Sequence, residues 1–400
     1  MVKRSRTPTS LPSAELNRRA MKQNGNTTEM RLHYILKRCC ICVMDSERAV
    51  NRLILFVVIV GTLYYCYCLY YASLQFEENN WNSRPAKKID HLYETDLELK
   101  KIHTRMISKA DTLSSEVTIV TAYFNLGNLN KGKKLGLGGY TPEKYKRWMA
   151  VFGRIDNPLI VFTDSPEIVE IFKELRSHFA SERSTIVLLN RTSLWSFSLA
   201  PRIKEVFTQP GYPAIDPNTV NENYSCVMHA KFELVNKVIR EEMFHTKYIS
   251  WLDIGLYRAV VDETHIFPIR VPPGFDDTKV AYSGQHKFDT TLSPYQIIIE
   301  DRTWVGGAMF LARPEVMYVY TQDYMRVVEK LLAENMMSTD QQVIYIMFLP
   351  HFPLQPRVEI QTYTTHSTDD WFYLGYTIKD SWDFGLRRSV SILRFLHSLL

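Results

Sequence analysis

Lys247-Tyr-Ile-Ser-Trp-Leu-Asp253-Ile-Gly255 decides the fold. Tyr248 to Leu252 is a short apolar run with strand-favouring side chains, and a carboxylate closes it. Just before it, His229 to Met243 places Phe232, Val235, Ile239 and Met243 at helical spacing. A helix feeding a buried strand is half of an alternating α/β unit, and the chain repeats the pattern on both sides. Val117-Thr-Ile-Val-Thr-Ala-Tyr-Phe124 is an apolar strand running into a polar, glycine-bearing loop. Pro142 to Arg154 reads as a helix with Trp148, Val151 and Phe152 on one side. Leu159-Ile-Val-Phe-Thr-Asp164 is a further strand, and Ser165-Pro-Glu opens a helix with good N-cap chemistry. Trp304-Val-Gly-Gly-Ala-Met-Phe-Leu311 is another strand, followed by a helix beginning at Pro314. This alternation predicts an α/β fold with a mostly parallel sheet flanked by helices. In such sheets a ligand lies beyond the carboxyl ends of the strands, so the polar residues there are the candidates for chemistry.

The chain has 400 residues, 46% hydrophobic and 23% charged, with 23 Tyr and 20 Phe. That balance excludes a mainly disordered, collagen-like or multi-spanning protein. The net charge of +5 is uneven: residues 1–52 hold eleven Lys and Arg against four Asp and Glu. The basic character belongs to this tail, which leaves no argument for a nucleic-acid-binding domain. Leu53 to Leu74 contains no charge. As a helix it would reach roughly 33 Å, enough for a hydrocarbon core of ~30 Å. Five tyrosines between Tyr64 and Tyr71 suit an interfacial belt, and Arg48 and Arg52 precede the run. The positive-inside rule keeps that side cytosolic. We therefore expect a single-pass type II membrane protein of the Golgi or endoplasmic reticulum. Its segments are a disordered basic cytosolic tail (1–52), a transmembrane helix (53–74), a lumenal stem (75–115) and a lumenal α/β domain (116–400).

Cys226 is the single cysteine of that domain, so an intrachain disulfide is not expected there. Asn190-Arg-Thr and Asn223-Tyr-Ser are lumenal N-glycosylation sequons. Among chemical candidates Asp253 leads: a carboxylate at a strand end can hold a divalent cation that bridges phosphates, or can simply cap the turn before Gly255. The loop 125–140 carries five glycines with Lys131, Lys133 and Lys134, either a diphosphate cradle or a surface loop.

The run His229-Ala-Lys231-Phe-Glu-Leu-Val, followed by Lys247 to Arg258, resembles the HtrL/YibB family, whose members look like GT-A glycosyltransferases. Thr121 to Phe124, Leu159 to Asp164, Trp304 to Phe310 and Thr339-Asp340-Gln-Gln342 extend the resemblance in order over roughly 116–350. It implies a GT-A-like fold that moves a sugar from a nucleotide-sugar donor to a glycan or glycoprotein hydroxyl. Thr121, Tyr123 and Asp164 would then meet the nucleoside, Lys231 the diphosphate, and Gly306 and Gly307 would let backbone approach the sugar or form a β-bulge; in a metal-independent enzyme Lys231 and Arg258 would take the cation's role. Asp340 would deprotonate the acceptor, or cap its helix; Glu300 and Asp301 stand in reserve. Asp253 would carry Mn²⁺ or Mg²⁺, but many GT-A enzymes have Asp-x-Asp where this chain has Asp253-Ile254-Gly255. His351 or His366 could supply a further ligand. A non-catalytic carbohydrate- or partner-binding protein on the same fold is the competing expectation.

Overall fold

The computed structural model describes residues 53, 55–69, 114–130, 139–244, 246–365 and 371–379. Contacts divide the chain into Met1–Asn82 and Ser83–Leu400. In the first unit, 53 and 55–69 are helical. Among the described residues no helix is long and apolar enough to cross a membrane. The basic tail 1–52, Ile54, residues 70–74 of the expected span and 75–113 of the expected stem lie outside the described residues.

The second unit is built on a seven-stranded sheet: β1 (Ser114–Tyr123), β2 (Leu159–Thr163), β3 (Ser184–Leu188), β4 (Thr246–Leu252), β5 (Val280–Gly284), β6 (Val305–Ala312) and β7 (Ile360–Tyr363). Their order is β3-β2-β1-β4-β6-β5-β7. The β3-β2-β1-β4 half is parallel throughout, and β5 also pairs parallel with β7. The fold is thus α/β with a mostly parallel sheet, as expected, with one departure: β6 runs antiparallel to both neighbours. The apolar pattern of Val305–Ala312 marks a buried strand and carries no information on direction, which the connections set.

The helices are α1 (Pro142–Met149), α2 (Pro166–Arg176), α3 (Trp195–Ser198), α4 (Ala200–Phe207), α5 (Glu222–Arg240), α6 (Pro294–Ile299), α7 (Pro314–Ala333), α8 (Asp340–Met347) and α9 (Tyr373–Lys379). Helix α5 starts earlier than its apolar spacing indicates because Asn221 caps it, accepting from the Tyr224 amide at 3.0 Å. It packs with α7 against β1, β4 and β6. There Phe232 stacks on Phe310 at 5.1 Å. A separate apolar cluster joins Val117, Ile119, Val161 and Leu252 with Phe152 and Phe172.

Two features of this architecture position the site. From β1 the chain proceeds to β2 and β3 on one side, then returns to place β4 on the other. The carboxyl ends of β1 and β4 therefore flank a topological switch point, where open α/β sheets bind ligands. The Thr121 hydroxyl ties the two ends, donating to the Leu252 carbonyl at 2.6 Å. On the other side of β4, one step along β5 from Tyr282 to Ser283 spans Phe310 back to Gly306 on β6. That bulge holds Gly307 out of the regular register.

Candidate functional site

Asp253 is the first residue after β4, and its amide donates to the Ala308 carbonyl at 2.8 Å. Its side chain keeps 32% of its surface exposed. Both carboxylate oxygens are held. Trp251 Nε1 donates to Oδ1 at 2.7 Å, and Lys231 Nζ lies 3.2 Å from Oδ1 and 3.3 Å from Oδ2. Trp251 and Asp253 meet because side chains two apart along an extended chain share a face.

Lys231 comes from the middle of α5 with 2% of its side chain exposed. Besides Asp253, it donates to the Gly307 carbonyl at 2.9 Å and to Asp340 Oδ2 at 3.0 Å. Burial by itself would pull this ammonium down. The charges of Asp253 and Asp340, with the Asp340 hydrogen bond, outweigh it and hold Lys231 above the ordinary lysine range. Asp340, at the first turn of α8, is also only 2% exposed. A carboxylate, an ammonium and a second carboxylate thus run from the surface inward, net charge −1, with Asp253 as the exposed member. Tyr224, one face-repeat before Lys231 on α5, is buried in the field of all three. Burial raises its phenol, against the lowering pull of Lys231.

This geometry corrects several expectations. Lys231 does not reach out to a diphosphate: its three donors are taken by Asp253, Asp340 and Gly307. Asp340 does not face an acceptor, and it is not a side-chain cap; it is sealed against Lys231. Thr339 does not cap α8 through its hydroxyl either, donating instead to Gln342 Oε1 at 2.7 Å. The absence of side chains at Gly306 and Gly307 makes room for protein. A Cβ on Gly307 would stand 2.2 Å from Asp340 Oδ2, and one on Gly306 would stand 3.0 Å from the Trp371 carbonyl. Of the two readings of this pair, the bulge is the one observed. Thr121 is fully buried and spends its hydroxyl within the sheet.

Tyr123 ends β1 with 7% exposure, against Tyr145 at 5.5 Å between ring centres. Burial pushes its hydroxyl up to about 12, with Glu143, Asp164 and Glu167 adding to it. Asp164 pairs with Arg191 at 3.1 Å. Arg258, five residues beyond Asp253, stacks its guanidinium over Phe372 at 4.6 Å and Trp148 at 5.9 Å. Glu300 pairs with Arg302 at 2.6 Å, and Asp301 accepts from Asn218 and Gln342. His351 is exposed beyond α8, with no contact among the described residues joining it to Asp253. His366, Lys131, Lys133 and Lys134 lie outside the described residues. The ends of the lysine loop are joined, Leu129 and Tyr140 exchanging hydrogen bonds of 2.8 and 2.9 Å. Of the sequons, Asn190 is exposed and Asn223 is half-buried in the first turn of α5. The thiol of Cys226 is free and buried.

Among the described residues no group of three or more His, Cys, Asp or Glu gathers to hold a metal ion. Of the two carboxylates on Lys231, Asp253 is the accessible one, and an ammonium already lies against both of its oxygens. These residues do not fit a resident Mn²⁺ or Mg²⁺. Sequence reasoning found Asp253, Lys231 and Asp340 but not their mutual contact, and it missed Trp251, whose i, i+2 relation to Asp253 was the available signal.

Comparison with known proteins agrees with the quoted motifs. Protein HtrL of Escherichia coli (strain K12) is 25% identical over 252 residues, covering 59% of this chain and 84% of HtrL. A family model described as "Bacterial protein of unknown function (HtrL_YibB)" matches residues 115–374, which takes in the sheet, α5 and the Lys231–Asp253–Asp340 cluster. The chain belongs to the HtrL_YibB family.

Proposed function

We propose that this protein is a GT-A-type glycosyltransferase. It moves a sugar from a nucleotide-sugar donor to a hydroxyl of a glycan or glycoprotein in the Golgi or endoplasmic reticulum. The observation that carries the reading is Asp253: a partly exposed carboxylate at the switch point of the sheet, held from beneath by a buried ammonium. The uncharged stretch 53–74 supports anchoring as a type II membrane protein.

In the reaction the acceptor oxygen bonds to the anomeric carbon, the bond from that carbon to the diphosphate oxygen breaks with its electron pair, which leaves on the diphosphate, and the acceptor hydroxyl passes its proton to the Asp253 carboxylate. Trp251 and Lys231 fix the orientation of Asp253. Its remaining lone pairs accept hydrogen bonds from donor or acceptor hydroxyls. Lys231 and Asp340 act through Asp253 and are positioning residues.

The test uses the full chain in detergent, with a panel of nucleotide sugars and glycan acceptors, following release of nucleoside diphosphate. Turnover should fall by about a hundredfold or more in Asp253→Asn, in line with the loss of a positioned catalytic carboxylate. One observation favours the non-catalytic alternative: with Asp340 sealed, Asp253 is the one accessible carboxylate of the cluster. Glycan binding without release of diphosphate from any donor, in wild type as in the variant, would decide for that alternative.

A further inference from the structure

We propose that the site binds the diphosphate of its donor without a divalent cation, using Lys231 as a built-in counter-ion and Arg258 as the group that meets the phosphates. The inference deepens the glycosyltransferase reading and rests on it.

The place a cation would take beside Asp253 is already filled. Lys231 Nζ lies within 3.3 Å of both oxygens of Asp253, 3.0 Å from Asp340 Oδ2 and 2.9 Å from the Gly307 carbonyl. Two carboxylates and a carbonyl are the hard oxygen donors that a divalent cation prefers. Here an ammonium sits among them, with three partners for its three N–H groups. The bulge in β6 brings the Gly307 carbonyl to it, and the missing Cβ of Gly307 admits Asp340. A second cation on Asp253 would face the ammonium across a single carboxylate, at a distance where like charges repel strongly.

The charge that remains calls for a further cation. Lys231, Asp253 and Asp340 sum to −1, which would repel a diphosphate approaching Asp253 unless another cation stands beside it. Arg258 follows in the same turn-rich segment and is half-exposed. Its guanidinium packs on Phe372 and Trp148, and no carboxylate among the described residues pairs with it. A guanidinium lying over aromatic rings keeps its N–H groups as donors, and two of them can grip phosphate oxygens in a pair. Asp253 then serves hydroxyls and Arg258 serves phosphates, so neither needs an intervening metal.

The experiment measures binding of UDP, GDP, ADP and CDP to the detergent-solubilised full chain, once with EDTA and once with Mn²⁺. The inference expects at least one nucleotide to bind with the same dissociation constant, within about twofold, in both conditions. Arg258→Gln should weaken that binding about tenfold or more, and Arg258→Lys should recover part of it, since a lysine restores the charge without the paired donors. Binding that appears only with Mn²⁺ overturns the inference and leaves the transferase reading standing. So does EDTA-resistant binding that Arg258→Gln leaves unchanged. Failure of every nucleotide in both conditions removes the transferase reading, and the inference with it.

Discussion

His229 and Lys231 stand two residues apart on α5, both sealed from solvent, yet one is neutral and the other charged. Around His229 the hydrogen-bonding partners are uncharged. The Ser225 hydroxyl gives its proton to the Ser338 carbonyl at 2.7 Å, so it can only accept from His229 Nε2, 3.2 Å away. Nδ1 must then accept from the Tyr324 hydroxyl at 2.7 Å. Both ring nitrogens are satisfied in the neutral state, and burial pushes His229 down to about 4. Around Lys231 the same burial is opposed by two carboxylates, and the charge stays. What separates the two residues is the chemistry of their partners, not their depth. The α5 helix therefore carries one group whose role is packing and one that reaches, through Asp253, to the surface.

The largest effect is expected from removing the charge of Lys231 alone. Lys231→Met leaves Asp340 buried without a counter-ion and should destabilise the fold by about 3–5 kcal/mol, read by chemical unfolding in detergent. Adding Asp340→Asn should return part of that loss; a double variant no more stable than Lys231→Met would show that the two residues are not coupled.

The His229 side is probed by pH. Its folded pKa lies below its unfolded value of about 6.5, so the unfolded chain takes up more protons between those values. Its contribution to stability is full above about 6.5 and is lost as pH falls towards 4, by about 3 kcal/mol. His229→Gln should flatten that part of the stability–pH curve. An unchanged slope would place the titration elsewhere.

Gly307→Ala drives a methyl group into Asp340 and should cost about 1–3 kcal/mol. It should also reduce turnover, because Asp340 and Lys231 shift together. The smallest effect is expected from Trp251→Phe, which removes one hydrogen bond to a carboxylate that water can still reach. About 0.5–1.5 kcal/mol of stability should be lost, with a larger proportional loss of turnover if orientation of Asp253 matters.

How much of this could be read beforehand differs from residue to residue. Asp253 was legible because the apolar run Tyr248 to Leu252 ends abruptly in a carboxylate, and a strand end in an α/β sheet is where chemistry is sought. Strands β1, β2 and β6 were legible from the apolar runs 117–123, 159–163 and 305–312. Strand β3, only half-buried and beginning Ser-Thr, offered too weak a pattern to stand out; β5 has only Val-Ala-Tyr before Ser-Gly, and β7 is only four residues long. Lys231 was singled out, but for a solvent-facing role; its depth depends on how α5 lies against β4 and β6.

The amino-acid order by itself determined the α/β class, the segments of β1, β2, β4 and β6, and the presence of a carboxylate at the sheet's carboxyl edge. These follow from local periodicity and from which residues a buried strand tolerates. Tertiary structure alone decided the reversed direction of β6, the bulge at Gly306 and Gly307, and the pairing of Lys231 with Asp340. Those partners are 109 residues apart. No local pattern records such a contact: only packing, by excluding water from both groups at once, makes each the other's necessary neighbour.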